Sequence, residues 1–224
     1  MITKWYLFCL IFSLLISLTF PGPFAQENPE ESKRDQKVRT FLDSRHDQWR
    51  DMNVPEADGE KLYQLIIEHN YTRALEIGTS TGHSGIWIAW ALRKTGGKLI
   101  TIEIDADRHR EAVDNFNQAD LADVIDARLA DAHQLVEELP GPFDFVFSDA
   151  DKDWYINYFK AVFPKLEDGG CFTAHNISDS GWSLSGTTQF YELIKNHPQM
   201  ETTLFKQGSG LSISFKRATK QSDP

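Results

Sequence analysis

The sequence predicts an α/β fold: a mostly parallel sheet with helices on both faces and one antiparallel strand. Three observations predict it. Short apolar runs alternate with amphipathic segments five times between about residues 72 and 196. A glycine turn, Gly78 to Gly82, joins the first run to the amphipathic segment after it. Gln207-Gly208-Ser209-Gly210 then separates two final strand-like runs, a hairpin signal.

Each element has its own justification. Val38, Phe41, Leu42, Trp49 and Met52 recur at helical spacing, predicting a helix over about 36–51. Pro55 marks a first helical turn, and Leu62, Leu65, Ile66 and His69 line one face to about 69. Residues 72–77 read as the first strand. Ile86, Trp87, Ala89, Trp90 and Leu92 fill a helix that ends near Gly96-Gly97. Lys98 to Ile104 is the second strand, 107–118 a helix, and 123–129 the third strand. A helix over 132–138 precedes the turn Pro140-Gly141-Pro142. Residues 143–148, Phe-Asp-Phe-Val-Phe-Ser, are a buried strand. Residues 153–166 read as a helix ended by Asp168-Gly169-Gly170, and Cys171 to Asn176 as the fifth strand. A Ser/Gly-rich loop over 177–186 leads to a helix over 187–196, then to strands over 201–206 and 210–216.

The chain of 224 residues suits one globular domain, over 37–217, with a C-terminal tail over 218–224. The N-terminus reads separately. Residues 5–20 are almost all apolar, Lys4 precedes them, and Pro21-Gly22-Pro23-Phe24-Ala25 follows. Residues 1–25 are therefore expected as a signal peptide cut after Ala25, or as an uncleaved N-terminal anchor. A cleaved peptide implies a periplasmic or secreted domain; an anchor implies a membrane-attached one, with Lys4 on one side of the run and Lys33, Arg34, Lys37 and Arg39 on the other leaving its side open. Residues 26–36 are polar and read as a linker. A net charge of −10 with no basic block argues against nucleic acid as a partner. Cys9 lies in the apolar run, so Cys171 has no disulfide partner within the domain.

The chemistry gathers at strand ends. Residues 74–84, Ala-Leu-Glu-Ile-Gly-Thr-Ser-Thr-Gly-His-Ser, have the layout of strand, glycine turn and helix N-terminus, a natural place for a nucleotide-like ligand. Gly78 and Gly82 let the backbone turn tightly, and Glu76 offers an acceptor to a cationic ligand. The spacing G-x-x-x-G lacks the middle glycine of a dinucleotide site, and no phosphate-gripping lysine follows. A nicotinamide-dependent oxidoreductase is therefore the weaker reading. Glu103, at the end of the next strand, is placed to take a ribose hydroxyl pair. Asp131 either faces an adenine amino group or caps the helix after it. Strands four and five end in Asp149-x-x-Lys152 and His175-Asn176, which one edge of a parallel sheet should bring together with Glu76 and Glu103.

These segments carry a resemblance. Met52-Asn-Val-Pro-Glu, Leu-Glu-Ile-Gly-Thr-Ser-Thr-Gly-His-Ser-Gly, Thr-Ile-Glu-Ile-Asp, Phe-Ser-Asp-Ala-Asp-Lys-x-x-Tyr and Gly-Gly-x₄-His-Asn stand in order over about residues 38–217. Together they resemble the metal-dependent class I O-methyltransferases that include catechol and caffeoyl-CoA O-methyltransferases. The resemblance implies a Rossmann-like fold with a seven-stranded sheet. It also implies S-adenosylmethionine as cofactor and a small phenolic or catechol-like hydroxyl as acceptor. Met52, Glu76, Gly78, Thr81, Gly82, Ser84, Glu103, Asp131, Ala132 and Asp149 would bind the cofactor. Asp149, His175 and Asn176 would hold a divalent metal, Mg²⁺ or Mn²⁺. Lys152 would be the general base and Trp182 would lie by the acceptor. A homodimer using the helix over 36–51 is a further expectation.

One position departs from the family pattern. Asp-Asn is usual where this chain has His175-Asn176, which removes a carboxylate ligand and a negative charge. Imidazole suits softer ions better than Mg²⁺. Three states stay open: a weaker or different metal, a metal-free enzyme with Lys152 or His175 as base, or a cofactor-binding homologue with little or no catalysis.

Overall fold

A computed structural model describes residues 29–49, 52–179 and 185–218. The apolar runs form seven strands: β1 (Arg73–Ile77), β2 (Lys98–Glu103), β3 (Ile125–Leu129), β4 (Phe143–Ser148), β5 (Leu166–His175), β6 (Met200–Phe205) and β7 (Leu211–Lys216). They make one sheet in the order β3-β2-β1-β4-β5-β7-β6. Only β7 runs antiparallel to its neighbours, β5 and β6. The helices are α1 (Pro29–Ser44), α2 (Glu56–His69), α3 (His83–Thr95), α4 (Ala106–Gln118), α5 (Ala132–Glu138), α6 (Tyr155–Val162) and α7 (Ser185–Lys195).

Strand periodicity divides the core in two. On β4, Phe145 and Phe147 join the cluster under α1 to α4, with Leu62, Trp90 and Phe116. Val146, between them, joins the cluster under α5 to α7, with Leu75, Tyr155, Phe159 and Phe190. Every residue of β4 is buried, so the strand reads as a continuous apolar run rather than an alternation. β1 pairs with β2 on one side and β4 on the other. Strand order reverses there, and a ligand crevice opens outside the carboxyl ends at such a point.

Three expectations need correction. The segment read as a linker, from residue 29 to 36, is helix, and α1 stops at Ser44 rather than 51. Several of its charges are paired, Asp35 beneath the helix and Arg34 nearer the surface. Arg34 Nε donates to Asp120 Oδ2 at 3.1 Å and Arg34 Nη2 to Asp123 Oδ1 at 3.1 Å. Asp35 Oδ1 accepts from the Trp90 indole at 2.7 Å, and Lys94 pairs with Oδ2. Those partners lie 55 to 89 positions away, beyond any local pattern. Trp49, past the helix, stacks on His83 at 4.6 Å. Second, β5 starts at Leu166, because Gly169 at φ +81° sits where the β4–β5 register shifts. Third, the helix expected over 153–166 divides into a 3₁₀ turn, α6, and a second 3₁₀ turn around Pro164.

The expected signal peptide or anchor, Trp182 and most of the C-terminal tail lie outside the described residues. No described helix is long and apolar enough to cross a membrane.

Asp35→Ala strands the buried Trp90 N–H and leaves Lys94 with Glu31 alone, at 3.7 Å. Urea unfolding should register a loss of about 1–3 kcal/mol, with α1 becoming the first segment to exchange its amide protons.

Candidate active site

The turn after β1 is shaped by what it touches. Gly78 has φ +99°, and a Cβ there would come within 2.8 Å of the Ala150 nitrogen. Gly82 has φ +95° and caps α3; its Cβ would meet the Phe116 ring at 2.6 Å. Both positions therefore require glycine for space as well as for conformation. Asn53 donates from its amide to Thr81 Oγ1 at 2.9 Å, tying the segment before α2 to the turn. His83 braces the same joint. Its Nδ1 meets the Val54 carbonyl at 2.9 Å and its Nε2 accepts from Trp87 at 3.2 Å. Burial holds this imidazole at about 4, so it is neutral.

The turn, the end of β2 and the starts of α5 and α6 enclose a cavity of about 380 Å³. Of the residues the resemblance assigns to the cofactor, Met52, Gly78, Glu103, Asp131, Ala132 and Asp149 line it. Ser80, Arg108, His133 and Tyr158 line it too and were not foreseen. Glu103 is buried and fixed by backbone donors: Ser80 N to Oε2 at 2.7 Å, and Ile104 N and Asp105 N to Oε1 at 3.0 and 2.9 Å. Ser80 Oγ is buried with no hydrogen-bond partner among the described residues. Of the two readings of Asp131, the cap is present. Asp131 caps α5 through His133 N at 2.9 Å and still borders the cavity. The His133 ring stacks on Trp154 at 4.2 Å. The volume, the bare glycine backbone and a fixed carboxylate suit a nucleoside-sized ligand.

Glu76, Thr81, Gly82 and Ser84 sit one layer behind that lining. Glu76 is completely buried; Ser84 Oγ and Thr101 Oγ1 each donate to it at 2.6 Å. Burial pushes its carboxyl up to about 7, against the pull of those two hydroxyls. Glu76 thus braces the turn from beneath rather than facing the cavity.

Beyond Asp149 the site becomes a line of charges. Lys152 Nζ donates to the Asp149 carbonyl at 2.9 Å and pairs with its Oδ1. Asp149 Oδ2 faces His175 Nδ1 at 3.1 Å. His175 Nε2 faces Asp58 Oδ2 at 3.0 Å. Burial alone would lower the His175 pKa; the bonds and charges of Asp149 and Asp58 outweigh it and raise it to about 9. Asn176 ends β5 at φ +57°. The expected metal ligands do not present a metal site. Both oxygens of Asp149 and both ring nitrogens of His175 are committed, and Asp149 already carries two cationic partners. No group of three His, Cys, Asp or Glu among the described residues is arranged to hold an ion. Asp58, 117 positions from His175, was not foreseen; its only local signal was an acidic residue in a first helical turn.

A family model described as O-methyltransferase matches residues 30–215. The chain belongs to that O-methyltransferase family. Among the relatives of this O-methyltransferase, a catechol O-methyltransferase from Niastella koreensis is 40% identical over 69% of the chain and 78% of the relative. Caffeoyl-CoA O-methyltransferase 1 from Eucalyptus globulus is 32% identical over 59% of the chain and 56% of the relative, so the match spans about half of that plant protein. Two solved structures agree in fold. The O-methyltransferase from Bacillus cereus, in complex with SAH, is 26% identical with a TM-score of 0.68, covering 87% of this chain and 94% of that one. TomG from Streptomyces achromogenes, in complex with SAM, is 25% identical with a TM-score of 0.68, covering 86% and 92%.

The state of Glu76 has a consequence for stability. Its folded pKa, about 7, lies above the ordinary 4.5, so the unfolded chain releases the proton first. Stability from this group is whole below about pH 4.5 and is lost as pH rises to about 7. Glu76→Gln has no proton to lose. Relative to wild type, it should gain up to about 3 kcal/mol across that window, measured by urea unfolding at several pH values.

Proposed function

We propose that this O-methyltransferase transfers the methyl group of S-adenosylmethionine to a hydroxyl of a small phenolic or catechol-like acceptor. The observation that carries the reading is the 380 Å³ cavity at the strand-order reversal, with Glu103 fixed on its wall and the bare Gly78 backbone beside it. The SAH and SAM held by the Bacillus and Streptomyces structures support the choice of cofactor, and the name of the Niastella relative supports the acceptor class.

When bound, S-adenosylmethionine supplies an electrophilic methyl on a sulfonium centre. Glu103 accepts hydrogen bonds from the ribose hydroxyls, its own orientation held by three backbone N–H groups. Gly78 lets the chain lie against the methionine portion, and Asp131-Ala132 with His133 border the adenine. Asp149 lines the end of the cavity nearest Lys152. In-line transfer needs the acceptor oxygen held close to the methyl carbon and aligned with the breaking bond, so positioning supplies most of the rate. The acceptor O–H proton passes to the Lys152 amine as the oxygen–methyl bond forms and the carbon–sulfur bond breaks; the sulfur leaves with the electron pair.

Lys152→Ala should lower kcat with catechol by about 10²- to 10⁴-fold. Calorimetry with S-adenosylhomocysteine should find cofactor affinity retained, since Lys152 reaches the cavity only through Asp149. Equal loss of both would remove Lys152 from the base role.

A further inference from the structure

The surroundings of Asp58 are built around a cation. Asp58 is fully buried in the first turn of α2. Its Oδ2 accepts from Ser209 N at 2.8 Å, while Oδ1 has no hydrogen-bond partner among the described residues. A Cβ on Gly208 would stand 2.1 Å from that Oδ1, so the β6–β7 turn is fitted closely over the carboxylate. A buried carboxylate with so few donors needs a positive partner. Here the partner is the imidazole of His175, 3.0 Å away. The other ring nitrogen meets a second carboxylate, Asp149, at 3.1 Å. A neutral ring would turn a lone pair towards one of these carboxylates. Two N–H donors satisfy both, which is the imidazolium.

The line Asp58, His175, Asp149, Lys152 therefore alternates in sign, and its charges cancel. A divalent ion entering between Asp149 and His175 would have to displace one cation from Asp149, and it would find no free nitrogen on His175. With a carboxylate at position 175, the same line would hold three negative charges against one positive and leave two units for an ion to neutralise.

We propose that the His175 imidazolium, held between Asp58 and Asp149, occupies the place of a divalent ion, and that this O-methyltransferase works without one. Asp58 is then a positioning residue: it fixes the imidazolium against Asp149 and never meets the substrate. The inference rests on the methyl-transfer reading above. It assigns the fixed positive charge beside the acceptor oxygen to His175 and leaves Lys152 as the base.

The test is titration of the full chain with Mn²⁺, followed by the electron paramagnetic resonance of the free ion, with S-adenosylhomocysteine present. Wild type should leave the free Mn²⁺ signal unchanged, and His175→Asp should remove it stoichiometrically. Stoichiometric binding by wild type overturns the proposal, as does a His175→Asp chain with native circular dichroism that binds no Mn²⁺. Nitrogen NMR of wild type covers the case in which that variant fails to fold. Both ring nitrogens of His175 should carry protons at neutral pH, and a single protonated nitrogen overturns the imidazolium. A separate calorimetric titration of wild type with S-adenosylhomocysteine keeps the two readings apart. Absence of heat there would remove the methyl-transfer reading and leave the Mn²⁺ and NMR results standing on their own.

Discussion

Gly78 lies against the backbone of Asp149 and Ala150 with no room for a side chain. That close approach binds three strand ends into one platform. Gly78 N and Thr79 N both donate to the Ile102 carbonyl, at 3.0 and 3.1 Å, and Asp149 N donates to the Ile77 carbonyl at 2.8 Å. The ends of β1, β2 and β4 are thereby fixed relative to one another before any side chain is considered. Ser80 N can then reach Glu103, and Asp149 is set at the far end of the cavity. A larger residue at 78 would push the turn from β4 and open the wall that the ligand has to meet.

The buried acids on this platform reach stability by different routes. Glu76 has only two hydroxyl donors and no cation, so the cheaper solution is to keep its proton. Asp58 has one backbone donor and an imidazole, and resolves its burial by pairing. A buried ion pair adds little net stability, because desolvation offsets much of the attraction. What the pairing secures is position. Two contacts on the His175 ring join α2, the end of β5 and the loop after β4, and Ser209 N on Asp58 adds the β6–β7 turn.

The candidate site was legible where local sequence carried the constraint. Gly78, the acids Glu103, Asp131 and Asp149, and Ala132 after Asp131 all sit at or just beyond strand ends, and a parallel sheet gathers strand ends on one edge. The depth of each residue was not legible. Glu76 and Glu103 both end strands, yet one lies beneath the turn and the other lines the cavity. Both occupy one face of the sheet, since Glu76 stands opposite Thr101 and Glu103 follows two residues on; Glu103 lies past the end of β1, whereas Glu76 is covered by Ser84 on α3. The start of α1 was misread for a similar reason. A charged stretch looks solvated until its partners, Trp90, Lys94, Asp120 and Asp123, are brought to it.

The sequence by itself determined the alternation of strands and helices, the glycine turn, the single antiparallel strand and the family, because each depends on residues within a few positions of one another. It also marked His175 as the departure. Only the tertiary structure decided what that departure means. Asp58 stands 117 positions from His175, and no local periodicity links them. Folding places them 3.0 Å apart in a dry interior, where a carboxylate and an imidazole determine each other's charge.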